Sequence, residues 1–238
     1  MSRSQKFLVL NATNVKNPFF IRQEFQKALQ KEGLIEEIDL QDDIEIQETG
    51  KNATLKKLEI TNLNFRDSKS AVEKIWRINL EQEIPGISTK GNTTEVALAV
   101  LQRFYLGSYS LNIILIELKS SLQKPKNKKP STLVDIHNKF KDTMNRMYML
   151  LTLNNHYNPQ KQYNEQTIYV KIKGAVVYNK NNISNDDGSE LYSVLQNSKK
   201  LISCSSILDD KDKIEVKFFP KQSGDDEESR VIALSDLL

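Results

Sequence analysis

Two oppositely charged side chains stand one residue apart at the end of an apolar run. The run is Leu111–Lys119, LNIILIELK, and the charged pair is Glu117 and Lys119. Residues two apart in a β-strand point to the same side, so both side chains would project together from the strand end. Charged groups at such a place are costly unless they are paired, hydrated or bound to a metal, so the pair marks a candidate site. The alternative is an ion pair at the surface end of a buried strand.

The elements that would position this pair follow from hydrophobic spacing. The dense Ile and Leu content predicts a strand over Leu111–Lys119 that is buried on both faces. Apolar residues at helical spacing predict a helix over Thr132–Leu153, and a long strand is predicted over Thr167–Tyr178. The apolar stripe of the helix is Leu133, Ile136, Phe140, Met144, Met147 and Leu151.

The flanking segments predict a mixed order of helices and strands. Alternating apolar residues indicate strands between Ile35 and Phe65, with a turn at Glu48–Asn52. The other predicted strands are Lys6–Asn11 and Lys213–Phe219, the latter being the last strand before the acidic run Asp225–Glu228. The other predicted helices are Asn17–Lys31, Ser68–Asn79, Asn92–Tyr105 and Ser189–Ser198.

The order of strand, Glu-x-Lys, long amphipathic helix and second strand resembles the core of the PD-(D/E)XK nuclease superfamily. The resemblance rests on Glu117 and Lys119 and covers residues 92–178. It implies an α/β (mixed α+β) fold, with a central mixed sheet flanked by helices and a restriction-endonuclease-like core. We expect a single domain over residues 1–238, with an N-terminal α/β portion (1–80), a nuclease-like core (85–180) and a C-terminal strand with an acidic tail (189–238).

The resemblance also implies a divalent-metal site. In this family two carboxylates hold Mg²⁺, a hard cation that prefers oxygen ligands, and Mn²⁺ is a possible substitute. Glu117 would be one metal ligand, the carbonyl of Leu118 would lie beside it, and Lys119 would be the catalytic cation. The metal would polarise the scissile phosphate and help to activate a water, and the lysine would stabilise charge near both.

The second carboxylate is not where the family usually places it, on the strand that precedes Glu-x-Lys. Between Glu95 and Glu117 the chain has no aspartate or glutamate. Glu95 is the first candidate for this catalytic and metal-binding acid, near the N-terminus of the helix predicted over Asn92–Tyr105. The helix dipole favours an acid there without any catalysis, which is the alternative interpretation. The polar residues at the usual position are Ser108, Ser110 and Asn112, and the other candidate acids are Glu81 and Glu83.

A second Glu-x-Lys occurs at Glu215-Val216-Lys217. Its alternation with the following two phenylalanines is typical of an ordinary edge strand. The acids before it crowd into a predicted turn, so we rank this match below the first. These acids are Asp209, Asp210 and Asp212.

A lysine-rich loop follows the first motif and is the candidate contact to a nucleic-acid backbone. Its lysines are Lys124, Lys126, Lys128 and Lys129. Lys139 and Arg146 on the polar face of the predicted helix would extend this basic surface beside Lys119. The alternative is a solvated linker, which the modest net charge of +3 favours.

Composition limits the other chemistry. The single cysteine, Cys204, excludes an internal disulfide and a cysteine-rich zinc site, and only two histidines argue against a histidine-based metal centre. The N-terminus lacks the features of a signal peptide, and no stretch is apolar enough to span a membrane. We therefore expect a cytoplasmic protein with no membrane partner.

Two functions are compatible with these features. The first is a magnesium-dependent endonuclease that hydrolyses DNA phosphodiester bonds, with a restriction or defence role and with a homodimer as one expected assembly. The second is a non-catalytic accessory protein that binds nucleic acid or protein on a degenerate nuclease-like fold. The missing second acid favours the second function, so its position decides between them.

Overall fold

The computed structural model describes residues 23–80, 92–105, 107, 109–126, 130–153, 168–183, 189–197, 200–207, 210 and 212–238. Within these residues the chain forms ten strands and four helices. In chain order they are α1 (Gln23–Lys31), β1 (Ile35–Ile38), β2 (Ile44–Gln47), β3 (Lys57–Thr61), β4 (Ser70–Ile78), β5 (Val96–Phe104), β6 (Tyr109–Leu122), α2 (Thr132–Leu153), β7 (Ile168–Asn181), α3 (Glu190–Gln196), β8 (Leu201–Cys204), β9 (Asp212–Pro220), β10 (Ser229–Ala233) and α4 (Leu234–Leu237).

The strands form one large mixed sheet and one small sheet. The large sheet has seven strands in the order β1-β4-β5-β6-β7-β9-β8, and the small sheet has three in the order β10-β3-β2. In the large sheet β4, β5 and β6 are antiparallel neighbours, whereas β7 runs parallel to β6 and β9 parallel to β7. The parallel step from β6 to β7 contains α2, since parallel neighbours need a long crossover. The predicted mixed α+β fold with a central mixed sheet is confirmed.

Strand β6 is the centre of the molecule because both of its faces are buried. The side chains of Leu111, Ile113 and Leu115 belong to a core that includes the apolar stripe of α2. The alternate residues Ile114, Ile116 and Leu118 belong to a second core that includes the small sheet. All six residues of the predicted α2 stripe are buried, so the predicted strand and helix are both confirmed.

Two predicted helices are strands, and burial explains the error. Residues 68–79 contain β4, and residues 92–105 contain β5. Val96–Leu101 is buried at every position, so its side chains show no alternation. A short apolar run of this kind fits a buried strand or a helix equally well by periodicity alone.

Towards the ends of the chain, the structure contains strands that the sequence did not predict. Helix α3 and strand β9 match two predicted segments, but β8 and β10 were not predicted, so β9 is not the last strand. Strand β10 pairs parallel with β3 and so joins the C-terminal portion to the N-terminal one. The predicted strand Lys6–Asn11 and the start of the predicted helix Asn17–Lys31 lie outside the described residues. Among the described helices, none is long and apolar enough to cross a membrane.

Candidate metal site

Glu117 and Lys119 lie in the C-terminal half of β6, on the face of the sheet that α2 covers. Both continue the row of Leu111, Ile113 and Leu115, which packs in the core shared with α2. Glu117 is fully buried, and the side chain of Lys119 is 21% exposed. The Lys119 ammonium donates a hydrogen bond to Oε1 of Glu117, so the predicted pair forms at a buried position.

Helix α2 adds a second ammonium group to the same carboxylate. Lys139 Nζ lies 2.7 Å from Oε1 of Glu117 and 3.7 Å from Oε1 of Glu95. The next residue, Phe140, is fully buried and packs closely over Gly174 of β7. A Cβ atom at Gly174 would come within 2.6 Å of the Phe140 ring, so the close approach of α2 requires a glycine there. Lys139 therefore has a fixed place, and the structure brings it to the predicted site residues.

Glu95 is the acid that the structure places opposite Glu117. The antiparallel ladder of β5 and β6 ends at the pair Val96 and Ile116, and Glu95 and Glu117 are the next residues on either side. The neighbouring Thr94 is buried, and its N–H donates to Oγ1 of Thr143 on α2 at 3.0 Å. The expectation that Glu95 begins a helix is wrong, because it directly precedes a strand, so the helix-dipole interpretation no longer applies.

Of the other candidate acids and polar residues, the two that the structure describes, Ser110 and Asn112, do not join this site. Ser110 and Asn112 lie on β6 opposite Gln102 and Val100, well before Glu117 along the strand. Asn112 donates to the side chain of Gln102 at 3.2 Å. Ser108, Glu81 and Glu83 lie outside the described residues.

The surroundings of Glu95 disfavour its charged form. Burial, the nearby Glu117 carboxylate and Glu48 together raise the pKa of Glu95 from 4.5 to about 7, against the opposing effect of the two lysines. Burial acts to lower the pKa of Lys139, but Glu117, Glu95 and Asp135 outweigh it and raise that pKa. The carboxylates therefore repel one another although two ammonium groups lie among them.

One oxygen of Glu117 lacks a partner in this cluster. The groups in contact are two carboxylates, Glu117 and Glu95, and two ammonium groups, Lys119 and Lys139. Oε2 of the buried Glu117 has no hydrogen-bond partner among the described residues. An unpaired buried carboxylate oxygen is costly, and a divalent cation beside it would supply a partner.

The oxygen ligands that the site offers are of the type that Mg²⁺ prefers. Glu117 and Glu95 offer carboxylate oxygens, and the backbone carbonyl of Leu118 is the third oxygen that the family resemblance implies. The side chain of Leu118 is buried in the second core, so only its backbone can serve the site. Within the described part of the chain, no group of three or more His, Cys, Asp or Glu residues could hold an ion together. Mg²⁺ commonly keeps several waters and takes only one or two carboxylates from a protein.

The predicted basic residues fall into three groups. Lys124 and Lys126 are exposed in the segment after β6, whereas Lys128 and Lys129 lie outside the described residues. Lys139 contacts Glu117 and lies near Glu95. Arg146 was expected on the exposed face of α2, and this is wrong, because it is buried and donates to the carbonyl oxygen of Leu80. Its guanidinium group therefore contributes to packing rather than to an exposed basic surface.

Sequence reasoning did not single out Glu48, whose charge helps to raise the pKa of Glu95. Glu48 lies just after β2, in the turn that leads to β3, and its side chain is half-buried. The available signal was its place in the strand alternation, since it follows the buried Ile44 and Ile46 at the same spacing of two. The effect of its charge on Glu95 depends on the packing of the two sheets, which no local pattern encodes.

The fold and the site define a mixed α+β protein with a buried cluster of carboxylate and ammonium groups at the end of its central strand. No protein-family model matches the chain, and no curated protein or solved structure is found to be similar to it. The chemistry of the site is therefore argued from its own geometry.

Proposed function

We propose that this protein is a metal-dependent nuclease that hydrolyses phosphodiester bonds of DNA with Mg²⁺, or with Mn²⁺ in its place. The observation that carries the proposal is the unpartnered, fully buried Oε2 of Glu117, next to Glu95 and flanked by Lys119 and Lys139. Two acids with a lysine at the end of a central strand are the donor set that the PD-(D/E)XK resemblance implies.

Each residue has a role that its position supports. Glu117, Glu95 and the carbonyl of Leu118 would hold the cation, which when bound supplies Lewis-acid activation of the phosphate and of a water. Lys119 is partly exposed beside the carboxylates, where it can stabilise negative charge that develops on the phosphate oxygens. Lys139 holds Oε1 of Glu117 and leaves Oε2 for the cation.

The choice of a nucleic acid as substrate rests on the exposed lysines that follow the Glu-x-Lys motif along the chain. Lys124 and Lys126 follow the end of β6 within a few residues of Lys119. Lysines in such a place can neutralise phosphates on either side of the scissile bond, with affinity that falls as salt rises. DNA is the proposed substrate, and RNA is a separate arm of the test.

The test is cleavage of supercoiled plasmid, linear duplex and single-stranded RNA by the purified chain. We expect DNA cleavage with Mg²⁺ or Mn²⁺ and none with excess EDTA. Glu117→Ala and Lys119→Ala should each abolish cleavage while circular dichroism shows an unchanged fold. If both variants cleave like the parent, or if the parent cleaves in EDTA, the proposal is wrong.

A second candidate is a nucleic-acid-binding protein without catalysis. It is favoured by the double contact of Oε1 of Glu117 with Lys119 and Lys139, which stabilises this carboxylate without a cation. This function predicts DNA binding that persists in EDTA and weakens with salt, with no metal-dependent turnover. Filter binding in EDTA over a salt series, run beside the cleavage assay, separates the two candidates.

A further inference from the structure

Helix α2 contacts the segment before β5 at two points, through residues one helical turn apart. Lys139 Nζ lies 3.7 Å from Oε1 of Glu95. Oγ1 of Thr143 accepts a hydrogen bond from the N–H of Thr94 at 3.0 Å. Residues four apart on a helix share one face, so Lys139 and Thr143 approach this segment side by side. One contact engages the side chain of Glu95, and the other engages the backbone directly before it.

The backbone at Thr94 lies outside the sheet and is held by a side chain instead. The last register pair of β5 with β6 is Val96 and Ile116, two residues after Thr94. Thr94 is nevertheless buried, and Thr143 is fully buried. A buried backbone N–H without a partner is costly, so the Thr143 hydroxyl meets a requirement that the sheet leaves open.

The Thr94 hydroxyl extends this contact across Glu95. Oγ1 of Thr94 donates to the carbonyl oxygen of Val96 at 3.3 Å, and it lies 3.4 Å from Oγ1 of Thr143. The chain bends at Glu95, between these two anchored residues. The backbone on both sides of Glu95 is therefore fixed, on one side by Thr143 and on the other by the start of β5.

The same helix also holds the other carboxylate. Lys139 Nζ lies 2.7 Å from Oε1 of Glu117, so one ammonium group lies between the two acids. Lys139 thus contacts the side chain of Glu117, while Thr143 fixes the backbone from which Glu95 projects. The relative position of the two carboxylates therefore depends on two residues of α2.

We propose that Thr143 is a positioning residue of the candidate metal site. Its hydroxyl fixes the backbone at Thr94, which keeps the carboxylate of Glu95 beside Glu117, where both can ligate one divalent cation. Groups that orient the ligands of a metal control its affinity although they do not touch it. The inference rests on the part of the proposed function in which Glu117 and Glu95 hold the cation, and it does not require that the protein cleave DNA.

The experiment is calorimetric titration of the full chain with Mn²⁺, without nucleic acid. Thr143→Val keeps the shape of the side chain but removes the hydroxyl, whereas Thr143→Ser keeps the hydroxyl. Thr132→Val is the matched control, because Oγ1 of Thr132 accepts from the N–H of Gln123 at 2.9 Å. It removes the same kind of hydrogen bond from the same helix, about three helical turns away from Thr143.

We expect the Mn²⁺ affinity of Thr143→Val to fall about 10-fold, as is typical when a group that orients a metal ligand is lost. Thr143→Ser should bind with nearly the affinity of the parent, and Thr132→Val should bind like the parent. The inference is overturned if Thr143→Val binds like the parent, if Thr143→Ser loses as much as Thr143→Val, or if Thr132→Val loses as much.

A double variant tests whether Thr143 acts through Glu95. Glu95→Ala removes the carboxylate that Thr143 is proposed to position, so adding Thr143→Val to it should lower the Mn²⁺ affinity little further. A further loss as large as that in the parent would show that Thr143 acts elsewhere, and the inference would be wrong. If circular dichroism shows that Thr143→Val does not fold, Thr143→Ala takes its place in every comparison.

The outcomes separate this inference from the proposed function. A parent that binds Mn²⁺ more tightly than Thr143→Val but never cleaves DNA supports the inference and contradicts the nuclease. A parent that cleaves DNA and has the same Mn²⁺ affinity as Thr143→Val contradicts the inference alone. A parent that binds no Mn²⁺ overturns both.

Discussion

The chain carries Glu-x-Lys twice, and the two copies have different surroundings. At the end of β6, Glu117 is fully buried on the face under α2, and Lys119 donates to its carboxylate. On β9, Glu215 is half-buried, and the Lys217 ammonium donates to the backbone carbonyl of Asp236 at 2.8 Å. The first lysine therefore belongs to a carboxylate cluster, while the second holds the C-terminal helix α4.

The difference comes from what covers each motif. Lys173 of β7 lies beside Glu215 in the register and donates to the carbonyl of Leu238, so both lysines on this face contact the C-terminal segment. Of the acids upstream of the second motif, Asp212 accepts from the Tyr148 hydroxyl at 2.8 Å and from Ser206. Asp209 lies outside the described residues. The same Glu-x-Lys pattern thus gives a candidate site on one strand and a packing contact on another, depending on its neighbours.

The largest expected effect is on the rate of DNA cleavage, when the lysine of each motif is replaced in turn. Lys119→Ala should lower the rate of Mg²⁺-dependent DNA cleavage by roughly 100-fold or more, as does loss of a preorganised group that stabilises the transition state. Lys217→Ala should leave the rate unchanged, because its ammonium group is engaged by a backbone carbonyl. Single-turnover cleavage rates of the two variants measure this difference. Equal losses in both variants would mean that the burial of the first motif does not distinguish it.

The second effect concerns the glycine that lets α2 cover the first motif. Gly174→Ala would place a methyl group 2.6 Å from the ring of Phe140, which is fully buried and cannot move freely. Overpacking of this kind costs about 1–3 kcal/mol, and we expect that loss in the free energy of unfolding measured in urea.

A double variant tests the cause of this loss. If the Phe140 ring is responsible, adding Gly174→Ala to Phe140→Leu should cost much less than adding it to the parent. The same cost in both backgrounds would show that the ring is not the obstacle. The approach of α2, and with it the position of Lys139, would then have another origin.

The sequence predicts those elements whose hydrophobic spacing is visible within the element itself. Helix α2 has an apolar stripe that recurs at helical spacing along its length, so this spacing identified it from end to end. Strand β5 is buried on both faces and was mistaken for a helix, because a continuous apolar run carries no period. That error also gave Glu95 the wrong setting, at the N-terminus of a helix, although Glu95 was already the first candidate for the second acid. Its position opposite Glu117 depends on the pairing of β5 with β6.

The third effect is a pH dependence of the free energy of unfolding, which Glu95 beside the first motif should cause when no metal is bound. The pKa of Glu95 is raised to about 7 by burial, by Glu117 and by Glu48, so between about pH 4.5 and about pH 7 the folded protein holds a proton that the unfolded chain has lost. The contribution of this group to stability is therefore complete below pH 4.5 and is lost as pH rises through 7. Urea unfolding in EDTA should show this fall in the parent and a weaker one in Glu95→Gln. If the free energy of unfolding fell equally with pH in the parent and in Glu95→Gln, the assignment of the raised pKa to Glu95 would be contradicted.

The smallest effect is expected in the region of the second motif, at Cys204. This residue is buried on β8, opposite Asp212 of β9, and burial, Glu190 and Asp212 raise the pKa of its thiol to about 12. The thiolate is the reactive form, so a thiol-specific disulfide reagent at neutral pH should label the native protein very slowly and the urea-unfolded protein fully. Rapid labelling of the native protein would show that β8 and β9 open readily. The second motif could then be exposed in solution, and the contrast with the buried Glu117 would weaken.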